Sequence, residues 1–287
     1  MLRNVALLTV GLALLAGCGS SGNDTQQSGV SVVASHYPAQ FLAERVGGEL
    51  VQVDNLTSPG TEPHDVELSP QQVGQVAEAD AVFYIGGFQP SVDNAIPEAQ
   101  GEVVDLSAGL PVRTQDGQTD PHVWLDPVLM SDMATTVSKA LSTADPEHAQ
   151  QYETNAQNLQ AELADLDSQW QRGTRKCATR TMVVSHDAFG YLADRYGFTQ
   201  KGIAGLSPET EPSAQALAEL TRYVQDNDVT TVYTETLVDP AVAQTVAAEA
   251  GAKTATLDPL EGPPATGDYL SAMRQNLAEV RDGQRCT

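Results

Sequence analysis

Two hydrophobic rhythms alternate along the chain. Short apolar runs rich in β-branched residues are separated by longer segments whose apolar positions recur every three or four residues. The first kind predicts strands and the second predicts amphipathic helices. Val30–Ala34, Val51–Leu56, Ala81–Ile85 and Val103–Leu106 read as strands, with helical patterns opening at Pro38, Ser69-Pro70, Ser91 and Pro127. The rhythm returns in the second half, with strands at Thr181–Ser185, Val229–Tyr233 and Lys253–Leu257. Helices are expected there over Ala188–Tyr196, Ser213–Gln225, Pro240–Ala250 and Tyr269–Val280. Such alternation predicts an α/β protein of two lobes, each a mainly parallel sheet flanked by helices.

The segment between the halves is different. Asp145-Pro146 reads as a helix start, and nothing interrupts the pattern before Gly173. A helix of that length spans roughly 40 Å. It is polar except for Tyr152, Leu159, Leu163, Leu166 and Trp170, which are spaced to share one face. One long helix joining the lobes acts as a stiff strut rather than a loose hinge.

The amino terminus stands apart. Arg3 precedes an apolar run from Val5 to Ala16, the charged and hydrophobic regions of a secretory signal. The run is shorter than the roughly 20 residues a membrane span needs. Its ending, Leu15-Ala16-Gly17-Cys18, resembles the lipobox of bacterial lipoproteins, in which the cysteine becomes the acylated first residue. Gly19–Gly29 is polar and small, as a tether should be. The expected organisation is a lipoprotein signal over 1–17, a flexible tether over 18–29 and a first lobe over 30–144. A linker helix follows over 145–174, and a second lobe occupies 175–287. Lipid on Cys18 would hold the protein at the outer face of a bacterial membrane without a membrane-spanning helix.

At 287 residues and 41% hydrophobic, the chain carries enough apolar material for a large core. Its 38 acidic residues against 15 basic ones give a net charge of −23, which repels phosphate backbones and argues against nucleic-acid binding. Apart from Cys18, only Cys177 and Cys286 remain. Two cysteines in an exported chain point to one disulfide, with two free thiols as the alternative. They are too few for a cysteine-rich zinc site.

Of the five histidines, His148 falls in the first turn of the polar helix and is expected at the surface, while His36 follows the first strand. The other three lie where strands or loops feed helices: His64 in Glu62-Pro63-His64-Asp65, His122 in Asp120-Pro121-His122-Val123-Trp124, and His186 in Val184-Ser185-His186-Asp187. Asp258, in Leu257-Asp258-Pro259-Leu260, follows a strand of the second half. Ligands of open α/β sheets bind beyond the carboxyl ends of strands. Three imidazoles and a carboxylate drawn from both lobes would make a closed four-coordinate site suited to Zn²⁺.

Gly60-Thr61-Glu62-Pro63-His64-Asp65-Val66-Glu67, Asp120-Pro121-His122-Val123-Trp124-Leu125-Asp126-Pro127 and Ser185-His186-Asp187-Ala188-Phe189-Gly190 add a specific likeness. With His36-Tyr37-Pro38 and Leu257-Asp258-Pro259-Leu260, they resemble, in order, the zinc-specific substrate-binding lipoproteins of metal ABC importers. The resemblance implies two α/β lobes joined by one long helix, and metal ligands at His64, His122, His186 and Asp258. It also implies Zn²⁺ as transported cargo, an ABC permease as partner, a monomer and no catalysis. Manganese-binding relatives generally carry glutamate at the position of His186, so this chain is expected to favour zinc. It departs from many zinc-binding relatives in one respect: Ser107–Asp120 is short and has no histidine-rich run.

Other readings stay open at this level. Manganese or another divalent ion fits the same architecture, and Glu62 or water fits the fourth ligand position. A zinc hydrolase would leave that position to an activated water, with Glu62 or Glu235 as base. Neither glutamate lies in an H-E-x-x-H pattern. Asp65, Asp126 and Asp187 are candidates for orienting the ligand imidazoles.

Overall fold

A computed structural model of the protein describes residues 29–115 and 117–287. The lipidation site expected at Cys18, the signal segment and nearly all of the tether lie outside these residues. The first lobe contains β1 (Val30–Ala34), α1 (Tyr37–Gly47), β2 (Val51–Asn55), α2 (Pro70–Glu78), β3 (Ala81–Tyr84), α3 (Pro90–Ala95) and β4 (Glu102–Asp105). A small hairpin follows, β5 (Thr114–Gln115) and β6 (Gln118–Thr119), and then α4 (Pro127–Ala144). The long helix is α5 (Ala149–Gly173). The second lobe runs through β7 (Thr181–Val184), α6 (Gly190–Tyr196), β8 (Thr199–Gly202), α7 (Ala214–Asp226), β9 (Thr231–Thr234), α8 (Ala241–Ala250), β10 (Lys253–Thr256) and α9 (Tyr269–Gly283). No helix among the described residues is long and apolar enough to cross a membrane.

Both sheets are wholly parallel, in the orders β2-β1-β3-β4 and β10-β9-β7-β8. In each, the lobe's first strand lies between its second and third, so the two lobes repeat one topology. Parallel pairing requires a crossover between strands, which the intervening helices provide. The expected strands all form. β8 is an addition: Thr-Gln-Lys-Gly is polar, sits at a sheet edge and pairs only with β7, so it lacks the apolar run that marks the others.

The strut forms as expected, with one change at its start. Pro146–His148 make a 3-10 turn, and the α-helix proper begins at Ala149. Asp145 does not cap the helix backbone; its Oδ2 accepts hydrogen bonds from His148 Nδ1 at 2.6 Å and Tyr152 Oη at 2.8 Å. The 25 residues of α5 cover about 38 Å. Tyr152, Leu159, Leu163, Leu166 and Trp170 are fully buried, so the apolar stripe is the packed face. It packs on α1 and α4 of the first lobe and on α9 of the second. A single apolar core therefore runs from β1 through the strut to β7 and α9.

Cys177 and Cys286 form a disulfide across 109 residues of sequence. It joins the start of the second lobe to its carboxyl terminus. Thr287 N–H donates to the Lys176 carbonyl beside it at 2.8 Å.

Candidate metal centre

His64, His122, His186 and Glu261 converge between the lobes, with one ligand atom of each lying within 4.8 Å of the others. Local structure presents each one. His64 lies in a 3-10 turn, Pro63–Asp65, whose N-cap Glu62 accepts the His64 N–H at 3.0 Å. His122 immediately precedes the 3-10 turn that leads into α4. His186 follows β7, at the carboxyl end of its sheet. Glu261 lies in the loop after β10.

Glu261 Oε1 is the hub. It lies 3.2 Å from Nε2 of both His122 and His186, and 3.4 Å from His64 Nε2. The Nε2 atoms of His122 and His186 are 3.3 Å apart. Carboxylates hold the far side of two rings. His122 Nδ1–H donates to Asp120 Oδ1 at 2.9 Å, and His186 Nδ1–H donates to Glu235 Oε2 at 2.7 Å. Glu235 Oε1 also accepts the backbone N–H of His186 at 3.0 Å. With Nδ1 occupied, each ring turns Nε2 toward Glu261, and its lone pair is free once the ring is neutral.

Electrostatics follow from burial and neighbours. Burial alone would lower the pKa of His186, yet Glu235 and Glu261 outweigh it and hold the ring well above its ordinary 6.5. His122 is likewise raised against burial, through its bonds to Asp120 and Glu261. Among the described residues no carboxylate stands behind His64 in this way, and burial lowers its pKa. Burial would raise Glu261, but the imidazoles hold it well below the usual carboxylate range. Carboxylates and imidazoles thus shift one another's titration in opposite senses across the cluster, raising His122 and His186 and lowering Glu261.

Asp258, expected as the fourth ligand, stands outside this cluster. Its Oδ1 accepts the Leu260 N–H at 2.8 Å, and its own backbone N–H and C=O bond to the Asn276 amide. The side chain closes its own turn, while Leu260, at φ 57°, swings the chain so that Glu261 enters the cluster. Trp124 secures that loop across the lobes by donating from Nε1 to the Pro259 carbonyl at 2.8 Å. Glu62, the other expected candidate, falls with Asp65 and Glu209 in a second, more exposed acidic group. Burial and the charge of Glu261 raise its pKa to about 8.

The expected orienting carboxylates also differ. Asp126 caps α4 and pairs with Arg195, Asp187 bonds to Gln200 and the Gly202 N–H, and Asp65 belongs to the acidic group. Asp120 and Glu235 orient the rings instead. Asp120 was legible as a carboxylate two residues before a histidine; Glu235 needed the register that sets β9 beside β7.

That register explains His36. Ser35-His36 follow β1 as Ser185-His186 follow β7, but β3 continues into Ile85 where β9 continues into Glu235. With no carboxylate opposite, His36 bonds to Ser35 Oγ at 2.9 Å and packs against Phe88 and Trp124. Complete burial lowers its pKa to about 3, which leaves it a neutral wall beside the cluster. His148 lies far from the centre, against Asp145.

Residues 32–283 match the family described as zinc-uptake complex component A, periplasmic (ZnuA). The high-affinity zinc uptake system protein ZnuA of Bacillus subtilis is 31% identical over 297 residues, covering 94% of this chain and 93% of its own. The laminin-binding protein Lmb of Streptococcus agalactiae, described as having adhesin and metal-transporting activity, superposes with a TM-score of 0.84 at 33% identity. That match covers 89% of this chain and all of that one. The Zn(II)-bound AdcA of Streptococcus pneumoniae gives 0.79 at 31% identity, covering 90% of this chain, which spans 58% of AdcA. Taken with the duplicated parallel sheets, the strut and the buried histidine cluster, these matches show that the chain belongs to the zinc-uptake component A family.

Proposed function

We propose that the protein captures Zn²⁺ between its lobes outside the cytoplasm and delivers it to an ABC permease. The ligands are Nε2 of His64, His122 and His186 with an Oε of Glu261. The observation that carries this is the convergence of three imidazoles and one buried carboxylate drawn from both lobes. Three nitrogens and one oxygen suit four-coordinate zinc, whereas Mn²⁺ prefers oxygen-rich sites of higher coordination. Four protein ligands close the site and leave no position for an activated water, which favours binding over hydrolysis. Asp120 and Glu235 keep the metal-facing nitrogens directed inward.

The same proposal includes a lipid anchor on Cys18, a tether to residue 29, and lobes bounded near residues 144 and 175. It also takes the working form to be a monomer. Metal analysis of protein purified without added metal, followed by competition titration with a zinc-selective chelator, tests the binding claim. One tightly held zinc per chain is expected, with severe losses in His64→Ala, His122→Ala and His186→Ala. No stoichiometric zinc, or unchanged affinity in all three variants, refutes it. Zinc-dependent growth of cells lacking the gene tests delivery.

A further inference from the structure

We propose that Arg113 is a positioning residue that couples contact between the lobes to the metal centre, by holding the carboxylate behind His122 only while seated on α6. The proposal rests on the zinc-binding reading and adds a residue to it. Arg113 lies in the short segment between β4 and the hairpin, where the sequence has no histidine-rich run. Its Nε donates to Asp120 Oδ2 at 3.2 Å, while Asp120 Oδ1 accepts from His122 Nδ1. The other end of the guanidinium pairs with Asp194 of α6 in the second lobe.

Helix α6 forms a socket for this side chain. Tyr191 Oη accepts the Arg113 backbone N–H at 3.0 Å and donates to the Asp120 carbonyl at 3.1 Å. The guanidinium carbon lies 5.8 Å from the centre of the Tyr191 ring. At Gly190 a Cβ would fall 2.5 Å from Arg113 Nε, so a side chain there would push the guanidinium from its seat. The next residue, Arg195, reaches back to Asp126 of the first lobe. Among the described residues, every anchor of Arg113 except Asp120 therefore belongs to the second lobe.

The consequence follows from the chemistry of Asp120. Its side chain is completely buried and acts on His122 directly. Arg113 is the side-chain cation paired with that carboxylate. Contact between the lobes seats Arg113 and fixes Asp120 and the ring behind it. Separating them removes Asp194, Tyr191 and the Gly190 surface together, so the fork loses its alignment and His122 its fixed orientation. Outer partners of metal-bound histidines typically change affinity by about 10–100-fold.

The test compares Arg113→Gln, Arg113→Lys, Asp194→Asn and Gly190→Ala in the full chain. Zinc release into excess chelator is followed by stopped flow, and the His122 Nδ1–H resonance by NMR in metal-free protein. Arg113→Gln should speed release by about 10-fold or more, and Arg113→Lys should restore it only in part because the planar fork is lost. Asp194→Asn and Gly190→Ala, which leave every ligand and Asp120 in place, should speed release severalfold and shift the same resonance. Wild-type release rates and an unmoved resonance in Arg113→Gln overturn the proposal. So does an effect confined to Arg113→Gln, which would make it a local counter-charge without coupling to the second lobe. Failure of the zinc-binding reading shows separately, as no zinc in the unsubstituted protein, and the resonance still decides on Arg113.

Discussion

Replacing Glu261 with glutamine should change both the strength of zinc binding and its dependence on pH. The carboxylate oxygen lies 3.2, 3.2 and 3.4 Å from the three Nε2 atoms, so the exchange removes an anionic ligand and the counter-charge of two imidazoles at once. In metal-free protein His122 and His186 both hold protons more tightly than a free imidazole, and zinc must displace them from Nε2. Each proton displaced weakens apparent affinity by about tenfold per unit fall in pH, so affinity should fall as pH drops from 7.5 to 5.5, by at most about 10⁴-fold if both rings are displaced of a proton throughout. In Glu261→Gln the rings keep Asp120 and Glu235 but lose the shared carboxylate. Zinc should bind more than about tenfold more weakly at pH 7.5, and about one fewer proton should be released. Competition titrations across that pH range, with calorimetry in buffers of different ionisation enthalpy, measure both quantities. Asp258→Asn serves as the comparison and should stay near wild type, since its carboxylate closes a local turn. Equal affinity and equal proton release in Glu261→Gln, or a larger loss in Asp258→Asn, would refute the reasoning.

His186→Glu should weaken zinc and bring manganese closer to parity, because it exchanges nitrogen for oxygen and sets a second carboxylate against Glu235; the ratio of the two affinities is the readout. Reducing or deleting the Cys177–Cys286 bond, which closes 109 residues, should cost about 2–4 kcal/mol in denaturant unfolding, and alkylation of two thiols in unreduced protein would contradict the pairing. Cys18→Ala should abolish lipid labelling and release the protein from membranes on fractionation; persistent labelling would sink the anchor.

The architecture was legible in the chain because it rests on local periodicity. Strand runs alternate with helical patterns, and the stripe from Tyr152 to Trp170 is confined to one face whatever it meets. The convergence of His64, His122 and His186 was legible for a related reason: each stands where a strand or loop feeds a helix, and parallel sheets bring such positions to one edge. The fourth member of the cluster was not. Asp258 and Glu261 are three residues apart after the same strand, and choosing between them depends on a left-handed Leu260 and on Asn276 and Trp124 holding the turn. Those contacts come from α9, 18 residues on, and from the other lobe, 135 residues away in sequence. The same holds for Glu235, which reaches His186 through the pairing of β7 with β9. Ile85 at the equivalent point beside His36 leaves an otherwise similar Ser-His pair without a carboxylate. A histidine's neighbours in sequence say where its backbone lies, but its role depends on what the opposing strand and the opposing lobe bring to its second nitrogen.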